Sequence, residues 1–268
     1  MSVASFKPTI WEKNILLNFA ESSFVGLITV APTEAKGEKV VFNKITSSAW
    51  KDYVSGSQIT WDKVATSMVE MAFDKSKYFA FMLDDVDKAQ TADDVMKSVT
   101  QEQSNLLGEL VSQEVVKDII ANTKTENIIA TKEKPITLTN ANAYDTLVDM
   151  NVKMSDNKVP MSDRYFVISN KVLGMLEKDE RFTRNYSVLE NGLVDGANIN
   201  GSNLIVRADN PQDKILLTQK QGTGYAMQLD DVEAMRLQDF LADGVRGLAN
   251  YGYKQLRDNC SVVANITF

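Results

Sequence analysis

The side chains that could do chemistry are limited first by what is missing: the 268 residues contain no histidine and a single cysteine, Cys260. Without imidazole there is no Ser-His or Cys-His nucleophile, no histidine-ligated zinc and no ordinary general base near neutral pH. One cysteine forms no disulfide within the chain and no thiolate metal site. Carboxylate and lysine chemistry remain. Asp84 with Asp87, and Asp230 with Asp231, have the residue types of a glycosidase pair. Adjacent acids on a strand point to opposite faces, so Asp230 and Asp231 pair poorly. Asp84, Asp85 and Asp87 offer oxygen ligands to a hard cation, but the central glycine and distal glutamate of an EF-hand are lacking. A solvated turn whose carboxylates cap the next helix is the favoured reading. Gly192, Gly196 and Gly201 punctuate residues 190–203 without a GxGxxG, a Walker lysine or a following helix. They read as a turn-rich connection between strands, not a phosphate loop.

Composition narrows the classes further. A net charge of −7 argues against a protein that coats nucleic acid, which needs clustered Lys and Arg. No run of about 18 apolar residues occurs, and the N-terminus lacks a basic stretch followed by an apolar run and cleavage site, so the expectation is a protein made and kept in a cytoplasm. The length suits one large domain or two smaller ones.

The element that organises the chain is the stretch from Thr91 to Asn122. Thr91 and Asp94 approximate a capping box, and Val95, Val99, Leu106, Leu110, Val111, Val115 and Ile119 recur at helical spacing. The spacing predicts one amphipathic helix of about 45 Å, a strut; its weak point is the polar run from Thr100 to Asn105. Before it, residues 10, 11, 15, 16 and 19 suit a short amphipathic helix. Lys39 to Ile45 and Ile59 to Phe73 read as a long hairpin with a polar tip and a bulge near Lys63, too slender to stand alone. Tyr78 to Leu83 is apolar enough for a strand buried on both faces. After the strut, Tyr144, Leu147, Val148, Val152 and Met154 mark one side of a helix started by Thr139 or Asn142. Arg164 to Ser169 is a buried strand, and Ser169 caps a helix over 171–178 with Val172, Leu173 and Leu176 inward. Strands follow at Leu204 to Val206, Lys214 to Thr218, Tyr225 to Leu229, Val232 to Leu237, Val245 to Leu256 and Ser261 to Phe268. Gly222 to Gly224 forms a turn, and Gly244, Gly247 and Gly252 mark bulges or close backbone approach. Strands from both chain ends then share a sheet with the strut, and residues 139–220 form an insertion.

Three blocks carry a resemblance. Tyr78-Phe79-Ala80-Phe81-Met82-Leu83-Asp84-Asp85-Val86-Asp87-Lys88-Ala89-Gln90, then Arg164-Tyr165-Phe166-Val167-Ile168-Ser169 running through Asp179-Glu180-Arg181-Phe182, then Val232 to Arg236 with Phe240 to Gly252, resemble in order and spacing the major capsid proteins of tailed phages with the Hong Kong 97 fold. The resemblance covers about residue 10 to the end. It implies an α+β fold: an N-terminal arm (1–36), an extended β-hairpin loop (37–76), a peripheral domain (77–135) built on a spine helix (91–122), an axial domain (136–225) and closing strands of the peripheral domain (226–268).

It also implies a non-enzymatic protein, without cofactor or metal, that self-assembles as pentamers and hexamers into an icosahedral virion shell around double-stranded DNA. Assembly is expected in the host cytoplasm, away from membranes, with a separate scaffolding protein and a portal as partners. No long scaffolding extension precedes the arm. Some relatives crosslink a hairpin lysine to an asparagine; Lys44, Lys51 and Lys63 are present, but no crosslink is assigned. A negative subunit avoids trapping the genome it encloses. Trp50, Lys51, Asp52 and Tyr53 at the hairpin tip and Trp11 and Phe19 in the arm are expected to contact neighbouring subunits, burial in their own subunit being the alternative for the arm pair. An encapsulin-like bacterial compartment shell is the alternative with the same fold, and a carboxylate-based hydrolase the alternative outside it.

Overall fold

The structure is a computed structural model that describes residues 19, 23–32, 39–46, 51–52, 55–56, 58–59, 61, 65–84, 95–179, 181–182, 187–188, 192–237 and 242–268. Its larger sheet runs in the order β4 (Ile128–Ile129), β13 (Ser261–Thr267), β10 (Lys214–Gln219), β6 (Arg164–Ile168), β9 (Ser202–Val206), β8 (Leu193–Ile199) and β7 (Ser187–Val188), with β5 (Ile136–Thr137) added to β13. Side chains on the strands alternate between its faces, and both faces are covered. Phe166, Ile168, Leu204, Val206, Ile215, Leu217, Val262 and Ala264 pack on one side with Leu147, Met150 and Met154 of helix α3 (Ala143–Asp156) and Val172 and Leu176 of α4 (Asn170–Leu176). Tyr165, Val167, Ile205, Leu216 and Val263 point the other way, onto Val111, Val115, Val116 and Ile119 of the long helix α2 (Val95–Asn122) and onto Phe24, Val25 and Ile28 around the short helix α1 (Val25–Ile28). Double cover explains why Arg164 to Ile168 is buried at every position, as the unbroken apolar run predicts.

The single helix holds: α2 continues without interruption through Thr100 to Asn105. Its expected cap at Thr91 and Asp94 lies outside the described residues. Amphipathicity holds less well. The inward face is apolar, but Leu106 and Leu110 remain 51% and 36% exposed on the outside. Ser112 is inward, donates back to Gly108 O at 2.6 Å and meets the Ser23 hydroxyl at 3.2 Å, so small residues let the segment around α1 lie close.

A second sheet has three strands, β11 (Thr223–Arg236), β12 (Ala242–Gln255) and β3 (Lys75–Asp84), in that order. The two expected strands at 225–229 and 232–237 are one strand, irregular only where its register with β12 shifts between Asp230 and Glu233. Gly222 closes a 3-10 turn and β11 begins at Thr223, so the expected turn ends two residues early. β12 pairs with β3 without a break past Gly244 and Gly247. β3 differs from expectation. It is the outer strand, and Tyr78 and Met82 are 82% and 61% exposed. Six apolar residues read as doubly buried, but among the described residues the outer face around Tyr78 and Met82 is left exposed.

Strands from both chain ends were expected in one sheet with the strut and residues 139–220 inserted; β13 instead pairs antiparallel with β10, inside that region, and parallel with β4 and β5. Adjacent strands leave one sheet and enter the other together, β10 into β11 and β12 into β13, and Leu256 N and Arg257 N both donate to Gly222 O at that crossing. The buried face of α3 is set by Ala143, Leu147, Met150, Asn151 and Met154, while Val152 is 51% exposed. Ser169 is the N-cap residue of α4 by position, though its hydroxyl makes no cap hydrogen bond. The expected turn-rich connection is largely strand β8, which contains Gly196 and follows Gly192. Gly201 alone of the three glycines closes a tight hairpin to β9, where Asn200 (φ 50°) and Gly201 (φ 76°) form a two-residue loop, the conformation that Asn-Gly favours.

Arg164, fully buried at the start of β6, ties these parts together. Its guanidinium donates to Val159 O (2.6 Å), Pro160 O (2.8 Å), Ser155 Oγ (3.1 Å), Asn151 Oδ1 (3.2 Å) and Asn151 O (3.3 Å). These acceptors lie at and beyond the C-terminal end of α3, where a cation is favoured. Asn151 passes the tie on, donating to Ile199 O at 3.0 Å and accepting from Ser202 Oγ at 2.8 Å on either side of the Asn200-Gly201 loop. Burial lowers the arginine's pKa from its ordinary value; the ring of acceptors compensates the lost water. Arg164→Ala strands those acceptors, and its expected cost is about 3 kcal/mol or more, roughly 6–12 °C in Tm for a chain of this size. Thermal unfolding by circular dichroism measures it, and a loss below about 1 kcal/mol would show that the network is dispensable.

Candidate assembly surface

The hairpin forms, but its second strand, expected from Ile59, starts at Ala65, with Ile59 and Trp61 outside it. β1 (Lys39–Thr46) and β2 (Ala65–Ala72) pair antiparallel in unbroken register from Lys39↔Ala72 to Thr46↔Ala65. The expected bulge near Lys63 lies outside the described residues. At the root, Val40 and Met71 are buried against Ala226 of β11, with Phe42 and Phe73 packed beside them. Two glycines make this contact possible. A Cβ on Gly224 would lie 2.6 Å from Phe42 Cζ, and one on Gly252 would run into the Ala72 carbonyl oxygen. The close approach expected of Gly252 is therefore to the hairpin, and it fixes how the ribbon leaves the body.

Below the root, a polar recess of about 470 Å³ separates the hairpin from α2, lined by Glu70, Asp74, Lys75, Asp118, Asn122 and Tyr253 among others. Lys75 Nζ sits 4.3 Å from the centre of the Tyr253 ring and 3.5 Å from Asp74. Lys77 Nζ is 3.6 Å from Glu114, which accepts the Tyr251 hydroxyl at 2.7 Å. Burial first, and then this hydrogen bond and the Glu114 charge, push the Tyr251 hydroxyl's pKa up. Asp118 is also raised, by burial, against the opposing pull of Asn122 and the lysines. The recess thus joins hairpin root, long helix and small sheet through charged groups that burial makes sensitive to their surroundings.

The expected contact residues fall in three places. Lys51 and Asp52 are exposed. Phe19 is buried (8% exposed) in its own subunit, in the cluster with Phe24, Val25, Val111 and Val115, so the alternative weighed for the arm is the one the structure shows for this residue. Trp50, Tyr53 and Trp11 lie outside the described residues, as do the side chains of Asp84, Asp85, Asp87, Asp230 and Asp231. What sequence reasoning missed is exposed and apolar: Ile59 and Trp61 on the hairpin, 63% and 91% exposed, and Tyr78 and Met82 on β3. A tryptophan in a polar context was the available signal at position 61.

Enzyme chemistry finds little support. Arg181 bridges Asp145 (2.6 Å) and Asp179 (2.7 Å), and Arg207 bridges Glu109 (3.0 Å) and Asp209 (3.1 Å). The Arg181 hydrogen bonds hold Asp179 below the usual carboxylate range. An acid kept ionised and occupied by an arginine is the reverse of a general acid. Among the described residues no group of three or more Cys, Asp or Glu side chains could hold a metal ion, and no helix is long and apolar enough to cross a membrane.

No family model and no curated protein matches the chain. Solved structures do. The capsid structure of cyanophage P-SCSP1u superposes with a TM-score of 0.70 at 17% identity, over 92% of this chain and 88% of that one. The chain has the fold of a phage capsid subunit. The mature capsid of bacteriophage PhiM1 gives 0.63 at 14% identity over 91% and 87%. A virus-like particle from Pyrococcus furiosus gives 0.60 at 13% identity over 96% and 98%.

Two outcomes test the joint. Gly252→Val forces the hairpin root off the sheet, at about 1–3 kcal/mol, and is expected to open the 39–72 ladder to protease while β6, β10 and β13 stay protected from hydrogen exchange. Asp118 holds its proton more tightly folded than unfolded, so stability falls as pH rises through the raised folded pKa and the full penalty is present at neutral pH. Asp118→Asn is therefore expected to raise Tm at pH 7 and to change it little near pH 3; equal shifts at both would refute the burial origin.

Proposed function

We propose that this chain is a major capsid protein that self-assembles into the icosahedral shell enclosing the genome of a tailed double-stranded DNA phage. The observation that carries the proposal is the capsid fold matched over nine-tenths of this chain and of the P-SCSP1u capsid chain alike. In this reading residues 1–36 are an arm, 37–76 an extended loop laid on a neighbour, 77–135 with 226–268 a peripheral domain on the helix that begins near 91, and 136–225 an axial domain, the Hong Kong 97 arrangement. Pentamers and hexamers arise by repeating one set of heterologous contacts. Lys51 and Asp52, with Trp50 and Tyr53, act at the loop tip, and Trp11 acts in the arm. The partners are other copies, a separate scaffolding protein and a portal, and the protein ends in the virion after assembly in the host cytoplasm. The shell lining binds no DNA sequence, and a net charge of −7 suits it.

The likeness to the virus-like particle from Pyrococcus furiosus, over 98% of that chain, favours one second reading: a bacterial compartment shell of encapsulin type. The particle's contents separate the two, DNA in one and a cargo protein in the other.

Expression alone and with neighbouring reading frames, followed by negative-stain microscopy and light scattering, is expected to give closed shells tens of nanometres across, or pentamers and hexamers that close with a scaffold. A stable monomer or dimer under both conditions would sink the shell reading. Deleting Ser47 to Ser57 is expected to leave a subunit with wild-type circular dichroism that forms no normal shells, and full particle yield from it would remove the hairpin from assembly.

A further inference from the structure

The hairpin's root shows how this ribbon packs on a sheet. Phe42 lies over Gly224 and the Ala72 carbonyl over Gly252, so the hairpin fills spaces that glycines leave on the outer face of the three-stranded sheet. Gly244 is eight residues from Gly252 along β12, an even number, and therefore on the same face. There the glycine's space is taken by the subunit's own Leu237, whose Cδ2 lies 3.2 Å from where a Cβ would be, and a hollow lies beside that side chain. The hollow, of about 310 Å³, is lined by Ala80, Met82, Met235, Leu237, Gly244 and Arg246, and Met82 on its wall is 61% exposed.

The matching knob is on the hairpin. Trp61 lies beyond the far end of the β1–β2 ladder, whose last pair is Thr46↔Ala65. Eight paired residues put that end about 24 Å or more from the root. At 91% exposure, Trp61 is not seated in the hollow of its own subunit. One chain thus carries an apolar hollow and an unseated indole, on the same two elements that already meet at the root.

We propose that Trp61 of one copy seats in the Gly244 hollow of a neighbouring copy. The proposal rests on the shell reading above and names the receiving surface for the hairpin. A second copy is the occupant because this sheet face already accepts this ribbon at the Gly224 and Gly252 end, and the hollow lies on the same face farther along β12, walled by Met82, Met235 and Leu237. Hollow and knob sit at different places on the subunit, so the contact is heterologous and repeats from copy to copy. An indole supplies the large apolar surface typical of an interface anchor, and the Arg246 guanidinium on the hollow's rim is the kind of group that stacks on such a ring.

The single native cysteine is buried, which makes disulfide trapping a clean test. Subunits carrying Trp61→Cys and one tag are co-assembled as a minor fraction with wild-type protein and with subunits carrying Met82→Cys or Met235→Cys and a second tag. Mild oxidation is expected to give a doubly tagged dimer from both pairings, at least tenfold stronger than from Met161→Cys, an exposed control position. Particles that form normally but give no doubly tagged dimer above the control overturn the inference and leave the shell reading standing. Failure of the wild-type chain to form any assembly overturns both.

Discussion

The constraint on which the rest of this structure depends is that α2 must serve two sheets at once. Val111, Val115, Val116 and Ile119 are buried in a cluster that takes Val167, Leu216 and Val263 from the larger sheet and Tyr225 and Tyr251 from the smaller. Each such aliphatic side chain contributes about 1.5–3 kcal/mol by burial, so a few of them outweigh any single polar contact along the helix. Because β10 continues into β11 and β12 into β13, the two sheets are covalently linked at one crossing while α2 spans them. The position of the small sheet is therefore set by core packing of the large one. Glu114 adds direction to that apolar grip through Tyr251 and Lys77.

From this follows where the subunit is closed and where it is open. The larger sheet has helices on both faces and leaves no hydrocarbon of its middle strands to water. The smaller sheet has α2 on one face; on the other, the described residues place the hairpin root at the Gly224 and Gly252 end and Leu237 over Gly244. Tyr78 and Met82 are consequently exposed although their strand is as apolar as β6. Burial within a subunit and burial between subunits demand the same side chains, so composition does not distinguish them.

That equivalence explains what could and could not be read from the sequence. β6 and the inward residues of α4 were legible because continuous apolar runs and helical spacing report directly on local structure. The length of α2 was legible too, since its periodic residues resume in phase after Thr100 to Asn105. β3 was misread as doubly buried because an apolar run does not report which of its faces the rest of the fold covers. Strands from both chain ends were expected in one sheet with residues 139–220 inserted, and no local signal marks a strand pair that passes between sheets. The Arg164 network was invisible for a different reason: five acceptors drawn from residues 151 to 160 come together only once α3 has ended and β6 has turned back. At the candidate surface, Lys51 and Asp52 are exposed, as their polar surroundings suggest, Phe19 is turned inward, and Trp61 passed as one member of an alternating strand.

The hairpin connects these points to assembly. A two-stranded ribbon is at best marginal in water, and here Val40, Phe42, Met71 and Phe73 pack its root against the body. Ordering each further residue of such a ribbon costs of order 1–2 kcal/mol in backbone entropy. A surface that covers the outer part of the ribbon therefore stabilises it and is itself covered in the same step. In the proposed shell, coupling of this kind would keep each isolated contact weak while making the repeated set strong, and a ribbon anchored at Gly224 and Gly252 would commit its outer half when the right surface is in place.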